Sequence, residues 1–201
     1  SSESPCSIDL SKTPLAGRKI IVYAGNMGVA QGMDTLFDLV LALKNNQQLG
    51  FVFVGRGSEV ARLQALTAQL KLENILFYDE IAPSQIPALY RQCAFGLIAL
   101  DARHSTHNIP GKFITYVNAG LPVIAFVNPG NDLIDLIASH QLGCVVENHD
   151  SAFIASQITA LCEQFEADTG LVDRSRKLSD QYFAASSACN TIARSLHSLS
   201  P

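Results

Sequence analysis

Between residues 19 and 147, short, largely apolar runs alternate with longer stretches whose apolar residues recur every three or four positions. The short runs are 19–24, 51–54, 75–78, 95–100, 123–127 and 144–147. Several are continuously apolar and β-branched, the pattern of strands covered on both faces. The longer stretches carry stripes at helical spacing. Met33, Leu36, Phe37, Val40 and Leu41 form one; Ile86, Leu89, Tyr90 and Cys93 another; Ile154, Ile158, Leu161, Cys162 and Phe165 a third. Val60, Leu63 and Leu70 suggest a fourth, less regular one. Beyond Ser151 the pattern is helical to the end, with Ile192 and Leu196 in the last segment. Strand–helix alternation predicts an α/β domain, a mostly parallel sheet with helices on both faces. Residues 1–17 are rich in Ser, Pro and polar residues and read as a linker or interdomain tail, leaving 18–201 as the domain.

Composition narrows the function. Hydrophobic residues make up 48% of the 201 positions and charged residues 16%, enough for a packed core and too apolar for a disordered chain. A formal net charge of −4 argues against non-specific binding to nucleic acid. No apolar run approaches the roughly 20 residues of a membrane span, and no basic-then-apolar leader opens the chain. Cys6, Cys93, Cys144, Cys162 and Cys189 are scattered and odd in number, so reduced cysteines in a cytosolic protein are expected.

Candidate chemistry gathers where strands end. The run 20–24 leads into Gly25-Asn26-Met27-Gly28 and then Gln31-Gly32, and the run 51–54 leads into Gly55-Arg56-Gly57. Glycine lets a backbone approach a ligand, and a helix start offers unpaired N–H groups with a positive dipole end. A third element, Ile109-Pro110-Gly111-Lys112-Phe113, places a lysine at a helix start. Loops 25–32, 55–58 and 101–111 would all lie at the carboxyl edge of the sheet, which predicts a crevice for a nucleotide-like ligand. Gly55-Arg56-Gly57 lacks a third glycine, and no acid ends the second strand, so a nicotinamide cofactor is not expected. His104 and His107 have no cysteine or organised acid near them in sequence, so no metal site is expected there. Asp101 and Arg103 in the same loop read as a solvated pair.

Five blocks in order carry a resemblance over nearly the whole chain from Arg18. They are Ile21-Val22-Tyr23-Ala24-Gly25 with Gln31-Gly32; Phe51-Val52-Phe53-Val54-Gly55-Arg56-Gly57; Asn74-Ile75-Leu76-Phe77 with Ile81; Leu89-Tyr90-Arg91-Gln92-Cys93-Ala94; and Pro110-Gly111-Lys112-Phe113 with Ala119-Gly120-Leu121-Pro122-Val123-Ile124-Ala125. In these blocks the chain resembles the C-terminal, donor-binding domain of retaining GT-B glycosyltransferases of family 4. The resemblance implies a Rossmann-like domain, the second half of a GT-B fold, that holds a nucleotide-sugar. It implies no cofactor and no metal, and a UDP-sugar ahead of a GDP-sugar. It assigns Gly25, Asn26, Met27, Gly28, Gln31, Arg56 and Lys112 to the donor diphosphate. His107, Pro110, Gly111 and Thr115 would face the sugar and ribose, and Gly55 and Ile81 would border the nucleobase. It assigns no catalytic residue to this half. A glycan or lipid-linked acceptor would bind an N-terminal half outside this sequence, and any membrane contact would come through that half. The implied setting is cytoplasmic, or peripheral at the inner face of the membrane, in surface polysaccharide, lipopolysaccharide or lipid-linked glycan synthesis.

Two departures stand out. Where the family carries an Arg and a Lys in the first loop, this chain has Asn26 and Gln31, which donate hydrogen bonds without charge. Where the family carries two glutamates, this chain has His107 and Thr115. Some polysaccharide-type members share the Gly-Asn and Gln-Gly features and also lack the second glutamate. The departures keep two other readings open: a non-catalytic GT-B-like binding module, and a sugar-nucleotide epimerase.

Overall fold

A computed structural model describes residues 4–99, 111–127, 129–146 and 151–182. Six strands form one parallel sheet: β1 (Lys19–Ala24), β2 (Leu49–Val54), β3 (Ile75–Tyr78), β4 (Phe95–Ala99), β5 (Val123–Phe126) and β6 (Gly143–Val145). The connecting helices are α1 (Met33–Ala42), α2 (Val60–Gln69), α3 (Ile86–Tyr90), α4 (Gly111–Asn118) and α5 (Asp132–His140), followed by α6 (Ser151–Glu166). Residues 171–182 are also helical.

The apolar runs locate the strands closely. β1 and β3 fall where the pattern puts them, β2 starts earlier, at Leu49, and β5 ends at Phe126. Leu100 and Glu147, the expected ends of two runs, lie outside the described residues, as do Ile192 and Leu196. Every residue of β2, β4 and β5 is buried, because helices cover both faces. β3 and β6 are the edges and are only partly buried.

The strand order is β3-β2-β1-β4-β5-β6. The chain lays down β1, β2 and β3 in one direction, then returns to place β4 beside β1 and continues the other way. Right-handed crossovers therefore put the helices of the two halves on opposite faces. Met33, Leu36, Phe37, Val40, Leu63, Ile154, Ile158, Leu161 and Cys162 pack on one face. Leu89, Tyr90, Phe113, Tyr116, Leu133, Ile137, Leu171 and Leu178 pack on the other.

Where the winding reverses, β1 and β4 separate. They pair only at Ile21–Phe95 and Val22–Gly96, whereas β1 pairs with β2 along its whole length from Lys19 to Ala24. The split leaves backbone groups without a ladder partner, and buried groups of that kind must be satisfied. The Tyr116 hydroxyl of α4 does this. It lies 3.1 Å from the Val22 carbonyl and 3.2 Å from the Leu97 carbonyl, and accepts from the Ala24 N–H at 3.4 Å. Its ring lies where a side chain at residue 96 would project: a Cβ on Gly96 would come within 2.5 Å of it. Tyr116→Phe keeps the ring and strips the partner from these buried groups, so it should cost about 1–3 kcal/mol in urea unfolding.

Two expectations need correction. Residues 1–17 were expected to stand outside the core, yet Ile8, Leu10 and Leu15 are buried against the face that holds α3 and α4. The Gln92 side chain ties this segment down, accepting from the Leu10 N–H at 2.9 Å and donating to the Ile8 carbonyl at 3.0 Å. The polar composition hid three well-placed apolar side chains. Leu70 was expected on the α2 stripe, but the helix ends at Gln69 and Leu70 is exposed.

Candidate functional site

Three loops leave the carboxyl ends of β1, β2 and β3 and are bonded to one another. The Gly25 N–H donates to the Val54 carbonyl at 2.9 Å, and the Gly55 N–H to the Tyr78 carbonyl at 3.0 Å. One step further out, the Met27 N–H donates to the Arg56 carbonyl at 2.7 Å, and the Glu59 N–H to the Met27 carbonyl at 3.0 Å. The sheet ladder thus continues into the loops and makes them rigid. Only glycine fits at residue 55. Its φ is +144°, and a Cβ there would lie 2.0 Å from the Gly25 carbonyl oxygen.

Beside these loops lies a cleft of about 380 Å³, within the usual range for a small-molecule site. Ala24, Gly25, Asn26, Val54 and the buried Gly55 line it, together with the exposed Arg56 and Glu80. Ile81, Pro83, Ile86 and Tyr90 make an apolar wall on the β3 side. Lys112 and Thr115, one turn apart on α4, close the remaining side. The cleft therefore opens at the carboxyl edge where the strand order reverses, the position ligands take in open α/β sheets.

Lys112 is the cation set deepest in this cleft. It is the second residue of α4, and Tyr116, four residues on and so on the same helix face, is pinned into the split between β1 and β4. The Lys112 Nζ lies 3.5 Å from the centroid of the Tyr23 ring. A Cβ on Gly25 would approach that nitrogen to 3.0 Å, so the absence of a side chain at residue 25 makes room for the ammonium. No carboxylate among the described residues forms an ion pair with it. Burial pushes the Lys112 pKa down to about 7. The unfolded chain therefore binds more protons between about pH 7 and 10.5, so this group makes stability rise with pH across that window. Urea unfolding at pH 7 and pH 9 should show the rise, and Lys112→Met should remove it.

The expected site residues divide into distinct groups. Gly25, Asn26, Gly55, Arg56, Ile81, Lys112 and Thr115 share the cleft. Met27 is corrected: its side chain is fully buried in the core, and only its backbone serves the site, by holding the β2 loop. Gly28 and Gln31 stand further along the first loop, flanking and ending the short 3-10 turn Val29–Gln31, and do not line the cleft. Gly111 is exposed at the start of α4. Arg56 faces Glu80 across the rim at 3.2 Å, with both side chains largely exposed. Thr115 spends its hydroxyl on the Gly111 carbonyl at 3.0 Å. His107 and Pro110 lie outside the described residues, as do Asp101, Arg103, His104 and Cys189.

Sequence reading missed Tyr23, Glu80, Pro83 and the cleft-facing role of Ile86 and Tyr90. A signal existed for Glu80, since Asp79-Glu80 follows β3 at the same edge as the glycine loops. Nothing local marks Tyr23, because a strand tyrosine reads as core.

Fold and cleft together define a Rossmann-like, doubly wound α/β domain with a crevice at its switch point. The model of the family "Glycosyl transferases group 1" matches residues 18–164, and the chain belongs to that family. The chain is 28% identical over 130 residues to WcaI of Escherichia coli K12, named as a colanic acid biosynthesis glycosyl transferase, covering 65% of this chain and 30% of that protein. It is 21% identical over 159 residues to a Pseudomonas aeruginosa protein named as a probable glycosyltransferase, WbjE, covering 79% of this chain and 40% of that one. The chain therefore spans less than half the length of either relative. Among solved structures it is similar to Anabaena Alr3699/HepE in complex with UDP, with a TM-score of 0.71 and 20% identity over 92% of this chain and 50% of that one. It is also similar to the C-terminal domain of LpcC, a glycosyl transferase group 1 family protein from Francisella tularensis, with a TM-score of 0.58 and 19% identity over 89% of this chain and 92% of that one. The resemblance read from the sequence is borne out for the family and for the Rossmann-like fold. Among the described residues, no helix is long and apolar enough to cross a membrane.

Proposed function

We propose that this domain is the nucleotide-sugar-binding half of a retaining glycosyltransferase acting in the synthesis of a surface polysaccharide, a lipopolysaccharide or a lipid-linked glycan. The observation that carries the reading is Lys112. It is a half-buried cation with no carboxylate in ion-pair contact among the described residues, set at a helix start and opposite a loop that glycine keeps open. A diphosphate would supply a counter-charge. It would meet the ammonium and the backbone N–H groups at the start of α4, where the helix dipole also favours negative charge. The apolar wall of Ile81, Pro83 and Ile86 suits the flat face of a nucleobase. The names of WcaI and HepE support the same reading, the first through colanic acid synthesis and the second through bound UDP.

In this role the domain holds the leaving group. As the bond between sugar and diphosphate breaks, negative charge grows on the diphosphate. Lys112 and the start of α4 would stabilise that charge more in the transition state than in the ground state, which is what raises the rate. His107, Pro110, Gly111 and Thr115 are proposed to face the sugar and ribose, and the acceptor to bind an N-terminal half. The donor is proposed as a UDP-sugar in preference to a GDP-sugar, with no metal or other cofactor. The setting is proposed as cytoplasmic or at the inner membrane face. Calorimetric titration of this chain with UDP, GDP, ADP and NAD tests the reading. Binding of one nucleoside diphosphate supports it, and an exclusive preference for NAD would contradict it.

A further inference from the structure

Tyr23 touches both halves of the cleft, Lys112 on one side and Asn26 on the other. Its ring lies 3.5 Å from the Lys112 ammonium, and its hydroxyl donates to the Asn26 carbonyl at 2.6 Å. One side chain therefore meets the cation brought by α4 and the loop that follows β1. The two residues come from opposite faces of the sheet: Tyr23 belongs to the core that holds α1 and α6, and α4 packs on the other. They meet at the carboxyl end of β1.

The ring cannot turn aside. Tyr23, Phe53 and Phe77 are register partners across β1, β2 and β3. Their rings contact in a row, with centroids 5.5 Å apart for Tyr23–Phe53 and 5.6 Å for Phe53–Phe77. Tyr23 itself is only 1% exposed. A lysine side chain is long and mobile, and fixing it in one place costs rotamer entropy. An aromatic face held rigidly beneath the ammonium confines it without neutralising it, because the attraction is to the ring quadrupole and leaves the charge free for an anion.

We propose that Tyr23 is a positioning residue for the diphosphate: its ring holds the Lys112 ammonium and its hydroxyl holds the Asn26 backbone, so that the two walls of the phosphate site keep a fixed spacing. This rests on the reading that Lys112 receives the diphosphate. The ring and hydroxyl roles separate by substitution. Tyr23→Phe loses only the hydroxyl bond and should weaken UDP binding about fivefold, the effect of one neutral hydrogen bond. Tyr23→Leu also loses the ring and should weaken it about tenfold more.

The test is a double-mutant cycle on this chain, with UDP and inorganic pyrophosphate as titrants. In the Lys112→Met background the further loss from Phe to Leu at residue 23 should vanish, since there is no ammonium left to position. Nuclear magnetic resonance supplies a readout that does not depend on binding. The Lys112 methylene protons next to Nζ should be shifted upfield by the ring current in the unaltered chain and in Tyr23→Phe, and return to ordinary values in Tyr23→Leu. Losses that simply add, or a lysine signal indifferent to Tyr23→Leu, would overturn the inference while leaving the nucleotide-binding reading intact. Failure of the unaltered chain to bind either titrant would overturn both.

Discussion

Lys112→Met is expected to weaken UDP binding at pH 7 by roughly tenfold to a hundredfold, the range of one charge-assisted hydrogen bond. The pH dependence makes this loss specific. With a pKa of about 7 in the free cleft, half the ammonium is lost at pH 7 and nearly all of it at pH 8.5. A bound diphosphate stabilises the charged form, so binding takes up a proton above pH 7. Affinity should therefore fall about fifteenfold between pH 7 and pH 8.5, a window chosen above the second phosphate ionisation near pH 6. Lys112→Arg keeps its charge throughout, so its affinity should be flat across the window. Titration calorimetry of the three proteins at both pH values checks the slope.

Gly55→Ala is expected to be the most damaging small substitution at the cleft, with a loss of about 3 kcal/mol or more in urea unfolding. Two costs add at this residue. An alanine at φ +144° is strained, and its methyl carbon would lie 2.0 Å from a backbone oxygen of Gly25. The loops have no easy retreat, since each is bonded to the neighbouring strand end, Gly25 to Val54 and Gly55 to Tyr78. Any relief must break one of those bonds and open the cleft, so nucleotide binding should be lost in whatever fraction folds. Gly111→Ala is the control. A Cβ there meets nothing within 4 Å among the described residues, and its effect on stability should stay within about 0.5 kcal/mol.

The fold was largely legible because its strands are buried on both faces. Runs such as Phe51-Val52-Phe53-Val54 have one physical solution, a central parallel strand, and the stripe on α1 or α6 fixes the face each helix covers. Residues 1–17 misled because burial there depends on tertiary partners, Gln85 and Gln92, far away in sequence. The glycine loops and Lys112 were legible because glycine before a helix and lysine after Pro-Gly are local signals. Met27 was misplaced because adjacency to Gly28 says nothing about which way a side chain points. The aromatic row under Lys112 was hidden because it depends on strand register, Tyr23 beside Phe53 beside Phe77, and register follows from strand order. Arg56 illustrates the same limit. It reads as a phosphate ligand in sequence, and its partner Glu80 becomes visible only when β3 is laid beside β2.

The most direct test of the account is titration of this chain with UDP and GDP at pH 7, repeated on Lys112→Met. Binding of a nucleoside diphosphate is expected, UDP ahead of GDP, weakened tenfold or more by the substitution. Binding that survives Lys112→Met unchanged, or no binding of either nucleotide at millimolar concentration, would contradict it.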